Sequence, residues 1–303
     1  MARSSAPPTD DDFAIRCQGV VKRFGEQTVL KGVNLDIRRG ETMVIMGGSG
    51  SGKSTMLRCM IGSHRIDGGA IELFGENICS MREDELNEVR KKFGILFQSG
   101  ALFNSMTVGE NVALPLREHT DLPSSVIDIQ VNIKLQQVGL LDAADKFPAE
   151  ISGGMKKRAG LARALALDPQ ILFYDEPSAG LDPVTSAQID QLIISLSKFL
   201  GVTSVVVTHE MDSAFVIADR MAMLDHGRIL KIADRKWYED LRDLTVQDAA
   251  SRNEDEQLIR QFLRGDADGP LAKRQSEDAY ATALFGDRPD GLLPMPSVES
   301  TKG

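Results

Sequence analysis

Eight consecutive residues, Gly47-Gly48-Ser49-Gly50-Ser51-Gly52-Lys53-Ser54, leave the surrounding chain few ways to fold. They fit the pattern G-x-x-x-x-G-K-[ST]. A short apolar run, Thr42–Met46, precedes them and reads as a buried strand; Ser54–Ile61 follows and reads as a helix. A strand, a glycine-rich loop and a helix in that order turn backbone N–H groups inward around a polyphosphate. The helix aims the positive end of its dipole at the same place. Gly47, Gly48, Ser49, Gly50, Ser51 and Gly52 supply the loop, with Lys53, Ser54 and Thr55 at the helix start. Lys53 brings a cation for the outer phosphates, and the Ser54 hydroxyl is a ligand for Mg²⁺.

The flanking pattern indicates an α/β chain. Residues 13–24 and 29–37 carry apolar alternation (Ile15, Val21; Leu30, Val33, Leu35, Ile37) and read as strands of a small antiparallel sheet. Residues 83–92 read as a helix and 93–97 as a strand. Residues 99–165 lack strand runs but show helical ones at about 107–117, 123–138 and 153–167, which marks a helical insert. Alternation then resumes, with strands at 170–174, 203–208 and 220–224 and helices at 184–200 and 211–219. Such alternation predicts a parallel sheet covered on both faces. Residues 1–12 and 265–303 read as disordered. Residues 13–233 form the main domain, and 234–303 an extension with one amphipathic helix at about 253–264 (Leu258, Ile259, Phe262, Leu263).

Composition narrows the classes further. Lys and Arg number 35 against 44 Asp and Glu, a net charge of −9, which argues against nucleic acid as a partner. Cys17, Cys59 and Cys79 form no metal-binding cluster and read as reduced core thiols of an intracellular protein. No apolar run reaches the ~18 residues of a membrane span, and the N-terminus has no secretory apolar segment.

Two more motifs share the chain with the loop. Ile171-Leu172-Phe173-Tyr174 reads as a buried strand from whose end Asp175 and Glu176 emerge. Asp175 is placed to hold Mg²⁺ through water, and Glu176 to orient or deprotonate an attacking water. Ser152-Gly153-Gly154-Met155 opens a long helix and forms a second anion-receiving terminus. One triphosphate already has its cradle, so this second terminus makes sense over a nucleotide held by another copy of the chain.

With Gln98 after a strand, Ala179-Gly180-Leu181-Asp182, and His209 after Val205-Val206-Val207-Thr208, the series resembles the ATPase subunits of ABC transporters, in order, over about residues 13–230. The resemblance implies a P-loop core with a small antiparallel β subdomain and an inserted α-helical subdomain. It also implies a head-to-tail dimer with ATP between the loop of one copy and the Ser-Gly-Gly of the other. Carried over residue by residue, Phe24 takes the place of the aromatic that stacks on adenine, usually Tyr. Gln98 takes that of the Mg²⁺ and water ligand, Asp182 that of the seam residue, and His209 that of the γ-phosphate switch. Met155 stands where Gln is usual, so one polar contact is missing.

A narrower resemblance lies in Leu96–Val108 and Asn111–Glu118, in Met155, and in the tail Ile259-Arg260-Gln261-Phe262-Leu263-Arg264-Gly265. These are similar to the Mla/Mce-associated ATPases. That implies lipid movement between bacterial membranes, a multi-span permease, a periplasmic Mce-domain protein and, in some systems, a STAS-domain subunit. The subunit itself would be cytoplasmic, held at the inner membrane by the permease. Residues 99–118 are apolar enough to form a groove for a permease helix. The alternatives are an ABC ATPase for another cargo such as an amino acid, or a non-transport ABC ATPase acting on ribosomes or DNA. A single ATPase module, with Lys53 and Asp175 only 122 positions apart, disfavours the non-transport kinds.

Overall fold

The computed structural model describes residues 12–266. The disorder expected for 1–12 and 265–303 falls outside that range, apart from Asp12, Gly265 and Asp266. The chain divides into two compact units, the first ending at Asp240 and the second beginning at Leu241.

Two sheets organise the first unit. The smaller has four strands in the order β2-β1-β4-β5: β1 Phe13–Phe24, β2 Gln27–Arg38, β4 Gly68–Leu73 and β5 Glu76–Asn77, all antiparallel. The expected pair 13–24 and 29–37 is its first half. The second half escapes a sequence reading because only Ile71 and Leu73 of Gly68–Leu73 are buried. Two buried positions in six residues are too few to display a period of two.

The larger sheet has the order β10-β9-β3-β8-β7-β6. Its strands are β3 Thr42–Met46, β6 Phe93–Leu96, β7 Ile171–Asp175, β8 Thr203–Thr208, β9 Arg220–Asp225 and β10 Arg228–Asp234. Pairing is parallel from β9 through β6, and β10 adds an antiparallel edge. Every residue of β3, β7 and β8 is buried. Strands buried on both faces lose the polar alternation of a half-exposed sheet, which explains their continuous apolar runs. Helices α1 (Lys53–Met60), α6 (Pro183–Leu200) and α7 (Met211–Ile217) pack on this sheet. Phe93 and Phe173 meet edge to face, centroids 5.3 Å apart. Truncating Phe173 to Ala would cost about 3–5 kcal/mol.

Helix α2 is Glu83–Arg90, and the insert between β6 and β7 holds α3 Val108–His119, α4 Ser124–Gln137 and α5 Gly153–Ala164. Helix α3 starts on a reciprocal cap: Glu110 N donates to Thr107 Oγ1, and Thr107 N to Glu110 Oε2. After β10 comes α8, Arg235–Arg242, which the sequence reading left unassigned. Its charged sequence buries Tyr238 and Leu241, and the Tyr238 hydroxyl donates to the Lys231 carbonyl at 2.8 Å. Cys17 and Cys59 are core residues as expected, but Cys79 is exposed, so a core role does not hold for it.

The second unit contains α9, Val246–Ala250, also unassigned from sequence, and α10, Glu254–Arg264. Asn253 caps α10 by accepting from Glu256 N at 2.9 Å, and Gly265 ends it in the left-handed conformation. Leu258, Ile259 and Leu263 are buried, whereas Phe262 is half-buried. Arg260 donates to the Leu244 carbonyl at 2.8 Å.

Candidate functional site

The loop 47–52 runs from the end of β3 into α1. Gly47 is required by close approach: a Cβ there would lie 2.0 Å from the Leu224 carbonyl oxygen of β9. Gly48 and Gly50 have the opposite character, with nothing within 4 Å of where a Cβ would stand. The Lys53 ammonium donates to the Gly47 carbonyl at 2.8 Å and to that of Gly48 at 2.9 Å, bending over the loop. Burial lowers its pKa, opposed by the negative charges of Glu176 and Asp175. The Ser51 hydroxyl is fully buried and has no hydrogen-bond partner among the described residues.

Strand β7 delivers the carboxylates. Ser54 Oγ donates to Asp175 Oδ1 at 3.3 Å, which joins the loop helix to the strand end. Burial pushes the Asp175 carboxyl above the usual carboxylate range; the Ser54 hydrogen bond opposes this. Glu176 follows with φ 50°, a left-handed conformation that a side chain rarely adopts. Its N–H donates to the Val207 carbonyl at 2.9 Å, and its own carbonyl accepts from the Lys157 ammonium at 2.8 Å. Its side chain meets His209: Oε1 lies 2.9 Å from Nδ1, and Oε2 accepts the His209 backbone N–H at 3.4 Å. A carboxylate accepts, so the imidazole donates to it from Nδ1. Strands β3, β7 and β8 lie side by side, which brings Lys53, Ser54, Asp175, Glu176 and His209 to one sheet edge.

These residues fit a triphosphate and Mg²⁺. An ammonium, a helix N-terminus and an unpartnered buried hydroxyl are donors for phosphate oxygens. The Ser54 and Asp175 oxygens are hard ligands, and a carboxylate destabilised by burial gains most from a divalent cation.

Ser152, Gly153, Gly154 and Asp182 form a second group. Ser152 caps α5, its Oγ accepting from Met155 N at 3.3 Å. Gly154 packs so closely on α6 that a Cβ would stand 2.4 Å from Thr185 Cγ2. Asp182 caps α6, taking N–H bonds from Val184 (3.1 Å) and Thr185 (3.0 Å) and the Thr185 hydroxyl at 2.5 Å. The Thr185 bonds hold its carboxyl below the usual range. Phe24, 46 % exposed, lies beside His64 and Lys22. Gln98 is exposed just beyond β6.

Three structural contributors escape the sequence reading. Lys157 holds the Glu176 carbonyl, and its only sequence signal is a position one helical turn beyond Gly154. Arg163 donates to the Ala101 carbonyl at 2.8 Å and that of Gly100 at 3.2 Å, bracing the segment after Gln98. Asn111, fully buried, accepts from Phe103 N at Oδ1, and its amide nitrogen shares its two hydrogens among the carbonyls of Phe103, Met106 and Thr107. Near them lies a cleft of about 730 Å³ lined by Asn87, Arg90, Phe97, Phe103, Pro115 and Arg163, among others. Residues 99–118 therefore supply one side of a groove, and α2, β6, the end of α5 and the turn after α1 supply the rest. No described helix is long and apolar enough to cross a membrane.

The parallel sheet, the glycine loop leading into α1, and the carboxylates at the end of β7 define a P-loop nucleotide-hydrolysing cassette. Residues 30–179 match the family model described as ABC transporter. Over 270 residues the chain is 43 % identical to the probable ribonucleotide transport ATP-binding protein mkl of Mycobacterium leprae, covering 89 % of this chain and 74 % of that one. It is 42 % identical to the intermembrane phospholipid transport system ATP-binding protein MlaF of Escherichia coli K12, over 86 % of this chain and 92 % of that one. The dimeric post-hydrolysis structure of the ATP-binding cassette MJ0796 bound to ADP and Pi superposes with a TM-score of 0.68, at 33 % identity over 73 % of this chain and 98 % of that one. The chain belongs to the ABC transporter family as its ATP-binding, ATP-hydrolysing subunit.

Proposed function

We propose that this subunit powers a transporter that moves phospholipid between membranes, working as a pair of copies beneath a membrane-spanning permease. The observation that carries the hydrolytic half is the Glu176–His209 contact at 2.9 Å beside the Ser54–Asp175 pair. Lys53 leaves the Gly47 and Gly48 carbonyls to hold the outer phosphates. Glu176 takes a proton from the attacking water, and His209 orients that carboxylate through Nδ1–H. Ser54, Asp175 and Gln98 would hold Mg²⁺, which would supply positive charge at the phosphate oxygens. Phe24 offers an exposed ring to the base. Ser152, Gly153, Gly154 and Asp182 close the site from the second copy.

Lipid cargo is supported by the match to MlaF along nearly all of that protein. The permease would seat a helix in the cleft beside Phe97 and Phe103, and the subunit would sit on the cytoplasmic face of the inner membrane. In such a complex an Mce-domain protein, and in some cases a STAS-domain subunit, completes the assembly. Residues 13–233 form the ATPase domain, with 99–165 as its helical insert and 234–303 as its extension. A second reading, ribonucleotide cargo, is favoured by the name of the M. leprae relative. Affinity purification from native membranes, with mass spectrometry of bound proteins and small molecules, separates the two. Permease, Mce-domain protein and phospholipid are expected; a solute-binding protein or nucleotide cargo would overturn the lipid reading.

A further inference from the structure

Helix α6 buries an acid on an otherwise apolar face. Asp190 sits among Ile189, Ile193 and Leu196 and is 5 % exposed. Its Oδ2 accepts from the Ser213 hydroxyl at 2.9 Å, and its Oδ1 is buried without a partner among the described residues. The Ser213 oxygen lies 3.4 Å from that of Ser178. Ser213 has a single proton, which it gives to Asp190, so Ser178 donates to Ser213. Ser178 and Ser213 are themselves buried. The result is a one-directional chain, Ser178 to Ser213 to Asp190, closed off from water.

Its ends have particular neighbours. Ser178 lies two residues beyond Glu176, in the turn where Ala179 N bonds to the Glu176 carbonyl and Leu181 N to the Ser178 carbonyl. That turn runs on to Asp182, the cap of α6. Ser213 lies in the first turn of α7, four residues beyond His209. The chain thus ties together the two segments that carry the Glu176–His209 pair, and it is rooted on a third element. Burying a carboxylate with one oxygen unsatisfied is costly, and an apolar side chain would suit this face of α6 better on stability alone. Glu176 holds an unfavourable backbone conformation that its surroundings must enforce.

We propose that Asp190 is a positioning residue for ATP hydrolysis: through Ser213 and Ser178 it locks the turn after Glu176 to the helix after His209, so that both segments move as one. This rests on the reading of Glu176 as the base. Burial, opposed by the Ser213 hydrogen bond, raises the Asp190 carboxyl above its ordinary range, in keeping with a group held there at some cost to stability.

The test uses the full-length chain, with kcat and KM for phosphate release and Tm measured in parallel. Ser213→Ala and Asp190→Val are expected to lower kcat about tenfold, the worth of a broken buried hydrogen bond, with KM nearly unchanged. The double variant Ser178→Ala/Ser213→Ala should be no slower than Ser213→Ala, because the middle link is already gone. Asp190→Asn still accepts from Ser213 and should keep kcat within about threefold of wild type. Ser213→Ala removes one atom only, and Asp190→Val replaces the acid with a side chain this apolar face accommodates, so both variants are expected to fold. Wild-type kcat in Ser213→Ala, multiplicative losses in the double variant, or a fall in Asp190→Asn equal to that in Ser213→Ala would each overturn the proposal. A lowered Tm with unchanged kcat would assign the chain to stability alone and overturn it too. Glu176→Gln is the control: if it hydrolyses ATP like wild type, the reading of the base fails, and this inference with it.

Discussion

The two groups of residues that make up the proposed nucleotide site are built in opposite ways. Lys53, Ser54, Asp175, Glu176 and His209 are joined by hydrogen bonds across three adjacent buried strands and the helix that follows the loop. Ser152 and Asp182, by contrast, are caps at helix starts, and their hydrogen bonds stay within their own first turns. The first half is internally stitched, with charges destabilised by burial. The second presents Ser152, Gly153 and Asp182 exposed at helix starts, with Gly154 buried against Thr185 of α6. A stitched half can hold a ligand by itself, whereas an open half becomes a site only when something is brought against it. That asymmetry is what the proposed nucleotide-gated contact between two copies would require.

The comparison can be broken at several points. The largest effect belongs to the stitched half: Glu176→Gln should slow hydrolysis by roughly 10²–10⁴-fold while ATP still binds, read as phosphate release against equilibrium binding. Gly154→Val strikes the open half, where its side chain collides with Thr185. It should cut hydrolysis by roughly 10²-fold and abolish the ATP-dependent dimer in sedimentation, with ATP affinity of the single copy preserved. Lost affinity there would erase the distinction between the halves. Lys53→Ala removes a charge-assisted bond and should weaken ATP binding about 10–100-fold by calorimetry.

The smallest effect concerns stability. The Asp175 pKa is raised in the folded chain, so the folded state is favoured when this group is protonated and loses that advantage as pH rises through the raised value. Asp175→Asn should therefore raise the Tm of the nucleotide-free chain at pH 7, by on the order of 2 °C. The gain should fade as pH falls below the ordinary carboxylate range. A variant that is more stable but inactive would show the stitched half trading stability for function; a lower Tm at pH 7 would contradict it.

Legibility followed burial pattern. Strands β3, β7 and β8 were readable because all their residues are buried, so the apolar run and the strand coincide. Helix α8 was not: Trp237, Tyr238 and Leu241 share a face, but Arg235, Lys236, Glu239, Asp240 and Arg242 make its eight residues read as polar. Asn111 and Lys157 were missed for a related reason. A lone polar residue inside a helix has no signature until its partners are in place. The cleft beside Phe97 was legible only in part, since Phe103, Leu114 and Pro115 of residues 99–118 line it but the rest comes from α2, β6, the end of α5 and the turn after α1.

The amino-acid sequence by itself determined the local chemistry: a glycine loop that must turn around phosphate, two carboxylates at the end of a buried strand, and a Ser-Gly-Gly helix start. Each depends on residues adjacent along the chain, whose backbone and side-chain preferences act over one turn or one strand. Only the tertiary structure decided that Asp175 meets Ser54, that His209 holds both oxygens of Glu176, and that Asp190 reaches Ser178 through Ser213. Those contacts join residues 23 to 121 positions apart. Such distances are closed by strand order and helix packing, which no stretch of sequence encodes on its own.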